Sequence, residues 1–169
     1  HRFLFPGIGY GGSCFPKDVK ALIKSGKQED FDFQILEATE NVNQAQKVIL
    51  VSEIEKYFGG NLQGKKIAVW GLAFKANTDD IREASSLDNI EKLLEKGATI
   101  SAYDAIAEEN VRKLLGDKIA YSKDMYSALE NADCLLIATE WSEFKNPNFE
   151  IMAEKMNNKA IFDGRNMFP

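Results

Sequence analysis

The sequence predicts an α/β protein: a segment built on one long helix, followed by a Rossmann-like three-layer α/β/α domain with a mostly parallel sheet. Three observations predict it. From about residue 66 to the end, short apolar runs alternate with amphipathic stretches, the pattern of parallel strands joined by right-handed helical crossovers. Across 33–58, Ile35, Ala38, Val42, Ala45 and Ile49 recur at spacings of three and four. Between the two patterns, Gly59-Gly60-Asn61 and Gln63-Gly64 mark a break. The chain is therefore read as residues 1–60 and 61–169.

Taken in order, the chain first shows four glycines, Gly7, Gly9, Gly11 and Gly12, which permit positive φ and close backbone approach. Pro16 suits the first turn of a helix, so a short helix is expected over 16–25, ended near Gly26. The 33–58 pattern makes a rod of roughly 25 residues and about 37 Å. Leu50, Ile54, Tyr57 and Phe58 widen its apolar surface, which suits a core helix or one packed in part against a second subunit. After the break, strands are expected at 66–70, 99–103, 119–121, 133–138 and 160–162. Helices are expected at 85–96, 108–115, 125–131 and 149–156.

Composition excludes several classes. The chain has 169 residues, 44% hydrophobic, with a net charge of −5 spread among both signs. Nucleic-acid binders usually carry a basic face instead. No apolar run has the length of a membrane span, and the start lacks the pattern of a secretory signal. Cys14 and Cys134 are too few for a disulfide framework. Free thiols in a reducing, cytoplasmic compartment are expected. The chain opens at His1 without an initiator Met and runs straight into the glycine-rich loop, so a cut within a longer protein is expected.

In such sheets ligands gather beyond the carboxyl ends of the strands. Those ends carry Gly71-Leu72-Ala73-Phe74-Lys75, Asp104, Thr139-Glu140-Trp141 and Asp163-Gly164-Arg165. No G-x-G-x-x-G motif follows the first strand, so the standard dinucleotide fingerprint does not describe this half. Lys75 could meet a phosphate as a point charge and Arg82 bidentately; both also read as solvated loop charges. Asp79 and Asp80 read as caps of a helix entry, as holders of Arg82, or as paired acids. Arg165 reads as a phosphate contact or as an exposed turn residue. His1 is the single histidine, and no metal-ligand cluster is visible.

The two cysteines differ. Cys14 stands just before a helix start, in Gly11-Gly12-Ser13-Cys14-Phe15-Pro16-Lys17-Asp18. Helix N-termini favour negative charge, Lys17 adds a cation, and a sulfur anion there is a strong nucleophile. A lone cysteine can equally be structural. Cys134 lies inside an apolar run and reads as a small buried hydrophobe.

The glycine–cysteine stretch, together with Phe3-Leu4-Phe5-Pro6-Gly7, Gly9-Tyr10, Gly71-Leu72-Ala73-Phe74-Lys75, Asp79-Asp80-Ile81-Arg82-Glu83 and Asp163-Gly164-Arg165, resembles the UDP-glucose/GDP-mannose dehydrogenase family. The match runs over essentially the whole chain, and Thr139-Glu140-Trp141 looks most like its UDP-glucose branch. The resemblance implies an NAD-dependent, four-electron oxidation of a UDP-sugar through a thiohemiacetal and a thioester on Cys14. It implies that Asp18 orients or activates the hydrolytic water, and that Lys17 and Arg82 reach NAD. Phe3, Leu4, Phe5, Pro6, Gly7, Tyr10 and Gly11 would line the substrate path; Phe74, Lys75 and Arg165 would hold the nucleotide and its phosphates. The 33–58 helix resembles the family's dimerisation helix, which implies a homodimer. The family's NAD-binding domain does not precede His1, so this chain alone is expected to bind NAD poorly and to lack useful turnover. Two alternatives stay open: a GDP-mannose or UDP-N-acetylmannosamine dehydrogenase, and a non-catalytic nucleotide-sugar-binding or dimerisation module.

Overall fold

A computed structural model describes residues 6–168. Three helices come first: α1 (Phe15–Gln28), α2 (Gln34–Lys47) and α3 (Ile49–Tyr57). There follow β1 (Lys66–Trp70), α4 (Ser85–Glu95), β2 (Thr99–Tyr103), α5 (Glu108–Leu115), β3 (Ala120–Tyr121), α6 (Met125–Ala128), β4 (Cys134–Ile137), α7 (Phe149–Lys155) and β5 (Ile161–Asp163). The five strands form one sheet in the order β3-β2-β1-β4-β5. Every pairing is parallel, with Ile67 opposite both Ile100 and Cys134.

Alternation along the strands builds the three layers. On β1, Ile67 and Val69 join a core with Val51 and Ile54 of α3, Ile90 and Leu93 of α4 and Val111 of α5. Ala68 and Trp70 face the other way, toward Ala128 of α6 and Met152 of α7. β4 repeats this, Cys134 and Leu136 on one side and Leu135 and Ile137 on the other. Strands buried on both faces read as continuous apolar runs, which is why these segments were legible. Trp70 stacks on Phe144 with centroids 5.0 Å apart, and its indole N–H donates to the Met125 carbonyl.

The structure differs from the single rod expected over 33–58. Val48, at φ −110° and ψ 11°, separates α2 from α3. The Lys47 carbonyl accepts from the Asn89 side chain at 2.6 Å, and the Val51 amide turns to the Val48 carbonyl instead. A side chain of α4 thus takes a carbonyl that the helix ladder would use. α2 is also inverted in polarity. Its buried residues are Asn43 and Lys47, while Ile35 is 82% and Val42 68% exposed. Gly26 does not stop α1 as expected; it lies inside the helix, where a Cβ would collide with the Phe31 carbonyl and the Phe33 ring.

Candidate active site

The strand order reverses between β1 and β4, the place where open α/β sheets form a crevice at their carboxyl edge. The floor of that edge is closed by Asp104, which is buried after β2. Its carboxylate accepts from the amides of Leu72 (2.6 Å), Ala73 (3.2 Å), Ile106 (2.9 Å) and Ala107 (2.8 Å), and from the Trp141 indole (3.1 Å). Thr139 donates to the Ala73 carbonyl at 2.6 Å. The strand-end residues Asp104, Thr139 and Trp141 are therefore internal fasteners. The amides of the first strand-to-helix turn, which cradle a pyrophosphate in dinucleotide folds, are spent on Asp104. That turn does not fit an NAD pyrophosphate.

Across this edge runs the loop that leads to Cys14. Its first part is pinned beyond β5: the Ile8 amide donates to the Gly164 carbonyl at 3.0 Å, and Asn166 donates to the Pro6 carbonyl at 3.0 Å. Its middle is held by α2. Gln46 donates to the Gly7 carbonyl at 2.9 Å, and Asn43 exchanges hydrogen bonds with the Tyr10 amide and carbonyl. Its last part meets the loop between β1 and α4, where the Gly12 amide donates to the Arg82 carbonyl at 2.8 Å. Glycine is required there: a Cβ on Gly11 would collide with the Glu83 carbonyl, and one on Gly12 with the Phe74 ring.

Cys14 then caps α1 and remains exposed. Its carbonyl accepts the first helical bond from the Asp18 amide at 2.9 Å, while no side chain caps the helix. The Ser13 hydroxyl lies 3.7 Å from Sγ. Lys17 and Asp18 pair at 3.0 Å in open solvent, and that hydrogen bond raises the Lys17 pKa. Arg82 clasps Asp80 with Nε and Nη2 at 2.9 and 2.8 Å, which pulls the Asp80 carboxyl below its ordinary value. Asp80 is thus the holder of Arg82 that the sequence suggested, whereas Asp79 accepts from Asn110.

The remaining candidates lie along the same edge. Phe74 is half-buried and packs on Gly11 and Gly12. Lys75 is exposed, its Nζ 5.2 Å from the centre of the Phe74 ring. Arg165 lies beside Gly7 and 2.7 Å from Glu140 Oε2, a pairing by charge rather than by a directed hydrogen bond. Tyr10 donates to Glu40 at 3.2 Å and meets Phe15 edge-on; burial first, then Glu40, raises its pKa. The structure brings Gly7 beside Arg165 and the Gly11-Gly12 turn beside Phe74 and Arg82, two residues before Cys14, whereas the Tyr10 side chain turns to Glu40 and Phe15. Phe3, Leu4 and Phe5 lie outside the described residues.

Sequence reasoning missed the polar inner face of α2 (Asn43, Gln46, Lys47) and the carboxylate of Glu83. The signal was there: four polar residues in the five positions 43–47 interrupt the apolar helical pattern. Among the described residues, no group of three or more His, Cys, Asp or Glu could hold a metal ion. No described helix is long and apolar enough to cross a membrane.

Comparison with known proteins decides the family. Residues 68–169 match the UDP-binding domain of the UDP-glucose/GDP-mannose dehydrogenase family, and residues 1–45 match its central domain. The chain belongs to this family. It is 43% identical to UDP-glucose 6-dehydrogenase of Pseudomonas aeruginosa, over 99% of this chain and 38% of that protein. UDP-glucose 6-dehydrogenase TuaD of Bacillus subtilis is 41% identical over 99% of this chain and 36% of its own length. A solved UDP-glucose dehydrogenase from Pyrobaculum islandicum superposes with a TM-score of 0.87 at 35% identity, covering 95% of this chain and 35% of that one. This member of the dehydrogenase family thus spans well under half the length of the relatives it matches.

Proposed function

We propose that the chain is the central-to-C-terminal part of a UDP-glucose 6-dehydrogenase, in which residues 1–60 carry the nucleophile Cys14 and residues 61–169 hold the UDP-sugar. The observation that carries this is the placement of an exposed, helix-capping Cys14 on a glycine loop bonded to Arg82 at the sheet's carboxyl edge. Relatives at 43% and 41% identity support the UDP-glucose branch.

In this reading the nucleotide lies along the loop and the sheet edge that carry Pro6, Gly7, Tyr10, Gly11, Phe74 and Lys75. Arg165 meets the diphosphate in exchange for Glu140. The sugar C6 hydroxyl is first oxidised to an aldehyde, losing a hydride and a proton. Cys14 Sγ adds to that aldehyde and the oxygen takes a proton, giving a thiohemiacetal. Loss of a second hydride and of the hydroxyl proton gives the thioester. Water then attacks the carbonyl, the C–S bond breaks, and the acid and the Cys14 thiol are released. Asp18, one helical turn after Cys14, orients that water. Hydride acceptance at both oxidations is the chemistry that NAD supplies when bound. Lys17 and Arg82, whose side chains are 70% and 68% exposed beside Cys14, fit a contact with NAD held mainly by another part of the subunit.

The reading extends to a cytoplasmic homodimer. The exposed Ile35 and Val42 line a groove of about 450 Å³ with Tyr10 and Ala38, and an apolar helix face of this kind suits a second subunit.

The test is to offer the whole subunit UDP-glucose, GDP-mannose and UDP-N-acetylmannosamine and to follow NADH absorbance. Two NADH per UDP-glucose is the expected result. Turnover of GDP-mannose alone would overturn the substrate assignment.

A further inference from the structure

Cys14 has no side-chain cap of its own, so its position is set by the chain on either side of it. Both sides lead to the same two residues. Two residues before Cys14, the Gly12 amide is bonded to the Arg82 carbonyl at 2.8 Å. On the first turns of α1 after Cys14, Lys20 Nζ donates to Glu83 Oε1 at 2.7 Å. The other oxygen, Oε2, accepts from Lys47 Nζ of α2 at 2.9 Å. Lys47 is 2% exposed, with Asp88 Oδ2 the second carboxylate near it at 3.4 Å. Glu83 also adopts φ 53°, a left-handed conformation that a non-glycine residue holds only when its surroundings enforce it.

We infer that Glu83 is a positioning residue for Cys14, an inference that rests on Cys14 being the nucleophile. One carboxylate ties α1, α2 and the loop after β1 together, and the peptide beside it backs directly onto Gly11. The buried cation Lys47 makes the tie directional. Without Glu83 that buried charge would keep only the longer 3.4 Å contact with Asp88, so the carboxylate is held in place. The conformation of Glu83 then sets where the Arg82 carbonyl meets Gly12, and so where α1 begins.

The experiment compares amide hydrogen exchange in this chain and in Glu83→Gln, Glu83→Asp and Lys20→Met. In Glu83→Gln, exchange of the Gly12 amide rises by about tenfold or more while amides of β1 and β4 hold their rates. Glu83→Asp keeps the charge and recovers part of the protection. Lys20→Met, which cuts the arm to α1 together with the 3.7 Å contact of Lys20 to Glu40 and leaves the Lys47 arm, gives a smaller rise and serves also if Glu83→Gln does not fold. In the whole subunit, Glu83→Gln lowers kcat by roughly 10- to 100-fold with KM for UDP-glucose changed less than about twofold, as a misplaced reacting group does. Unchanged Gly12 exchange in Glu83→Gln, or a rise shared equally with β1 and β4, would overturn the inference. Acid formation retained by Cys14→Ala would instead sink the proposed chemistry, and the exchange data on this chain would still judge the positioning role.

Discussion

Cys134 and Cys14 occupy opposite kinds of surroundings. Cys134 sits fully buried in β4, opposite Ile67 of β1, and burial pushes its thiol up to about 12. Cys14 stands in solvent at the start of α1. The contrast extends to the regions around them. The sheet buries apolar surface on both faces, in one core shared with Val51 and Ile54 of α3 and in another beneath α6 and α7. α1, α2 and the turn between them leave theirs open: Phe15 is 51%, Phe31 57%, Ile35 82% and Val42 68% exposed. On the proposed function, chemistry would be carried where the chain's own packing stops, while the sheet supplies a rigid edge beside it.

The largest effect expected from this contrast is catalytic. In the whole subunit, Cys14→Ala lowers acid formation by about 10³-fold or more, as loss of a covalent nucleophile does. Cys134→Ala leaves kcat within about twofold and lowers only stability. Quantifying the acid product by chromatography distinguishes the two, and comparable losses in both would erase the functional difference between the regions. Thiol chemistry gives the next largest contrast. Under native conditions iodoacetamide should modify Cys14 at least about 10³-fold faster than Cys134, because Cys134 reacts only through openings that approach global unfolding. Peptide mass mapping over a time course reads both sites at once, and early alkylation of Cys134 would mean that the sheet opens easily.

How legible each region was follows from the same difference. The five strands lie close to where the apolar runs placed them; in β1 and β4, burial on both faces leaves an unbroken local signal. Cys14 at a helix start was also legible, since glycines, Pro16 and spacing are local features. The break at Val48 was not: it depends on Asn89 reaching the Lys47 carbonyl across 42 positions. Lys20, Lys47 and Glu83 carried no signal of their own, because sequence does not distinguish a buried cation from an exposed one. Asp104 was found as a strand-end residue, but its five N–H partners come from three separate loops, so its fastening role emerges only in the fold.

Packing supplies a third contrast. Phe144 is fully buried against Trp70 and Tyr103, and Phe144→Ala should cost about 3–5 kcal/mol in urea unfolding. Ile35→Ala on α2 should stay within about 0.5 kcal/mol in the dilute monomer. Ile35→Asp should do something different, shifting sedimentation from dimer toward monomer if α2 meets a second copy. Equal costs for Phe144 and Ile35 would show that α2 packs within the chain after all.

The smallest effect concerns the tie between the regions. Hydrogen bonds from Lys20 and then Lys47 hold the Glu83 carboxyl below its ordinary value of 4.5. A carboxyl that binds protons less readily when folded contributes stability above that ordinary value and loses it as pH falls through the depressed one. Glu40 and Asp88 face the same two lysines, so the reading comes from comparing Glu83→Gln with the parent chain. Glu83→Gln removes one proton-binding group and leaves the others. Its melting temperature should therefore fall less steeply than that of the parent chain below pH 4.5, with both curves flat and parallel between about pH 6 and 8. An identical slope would mean that Glu83 keeps its ordinary affinity for protons and that the two regions are joined by Gly12 and α2 alone.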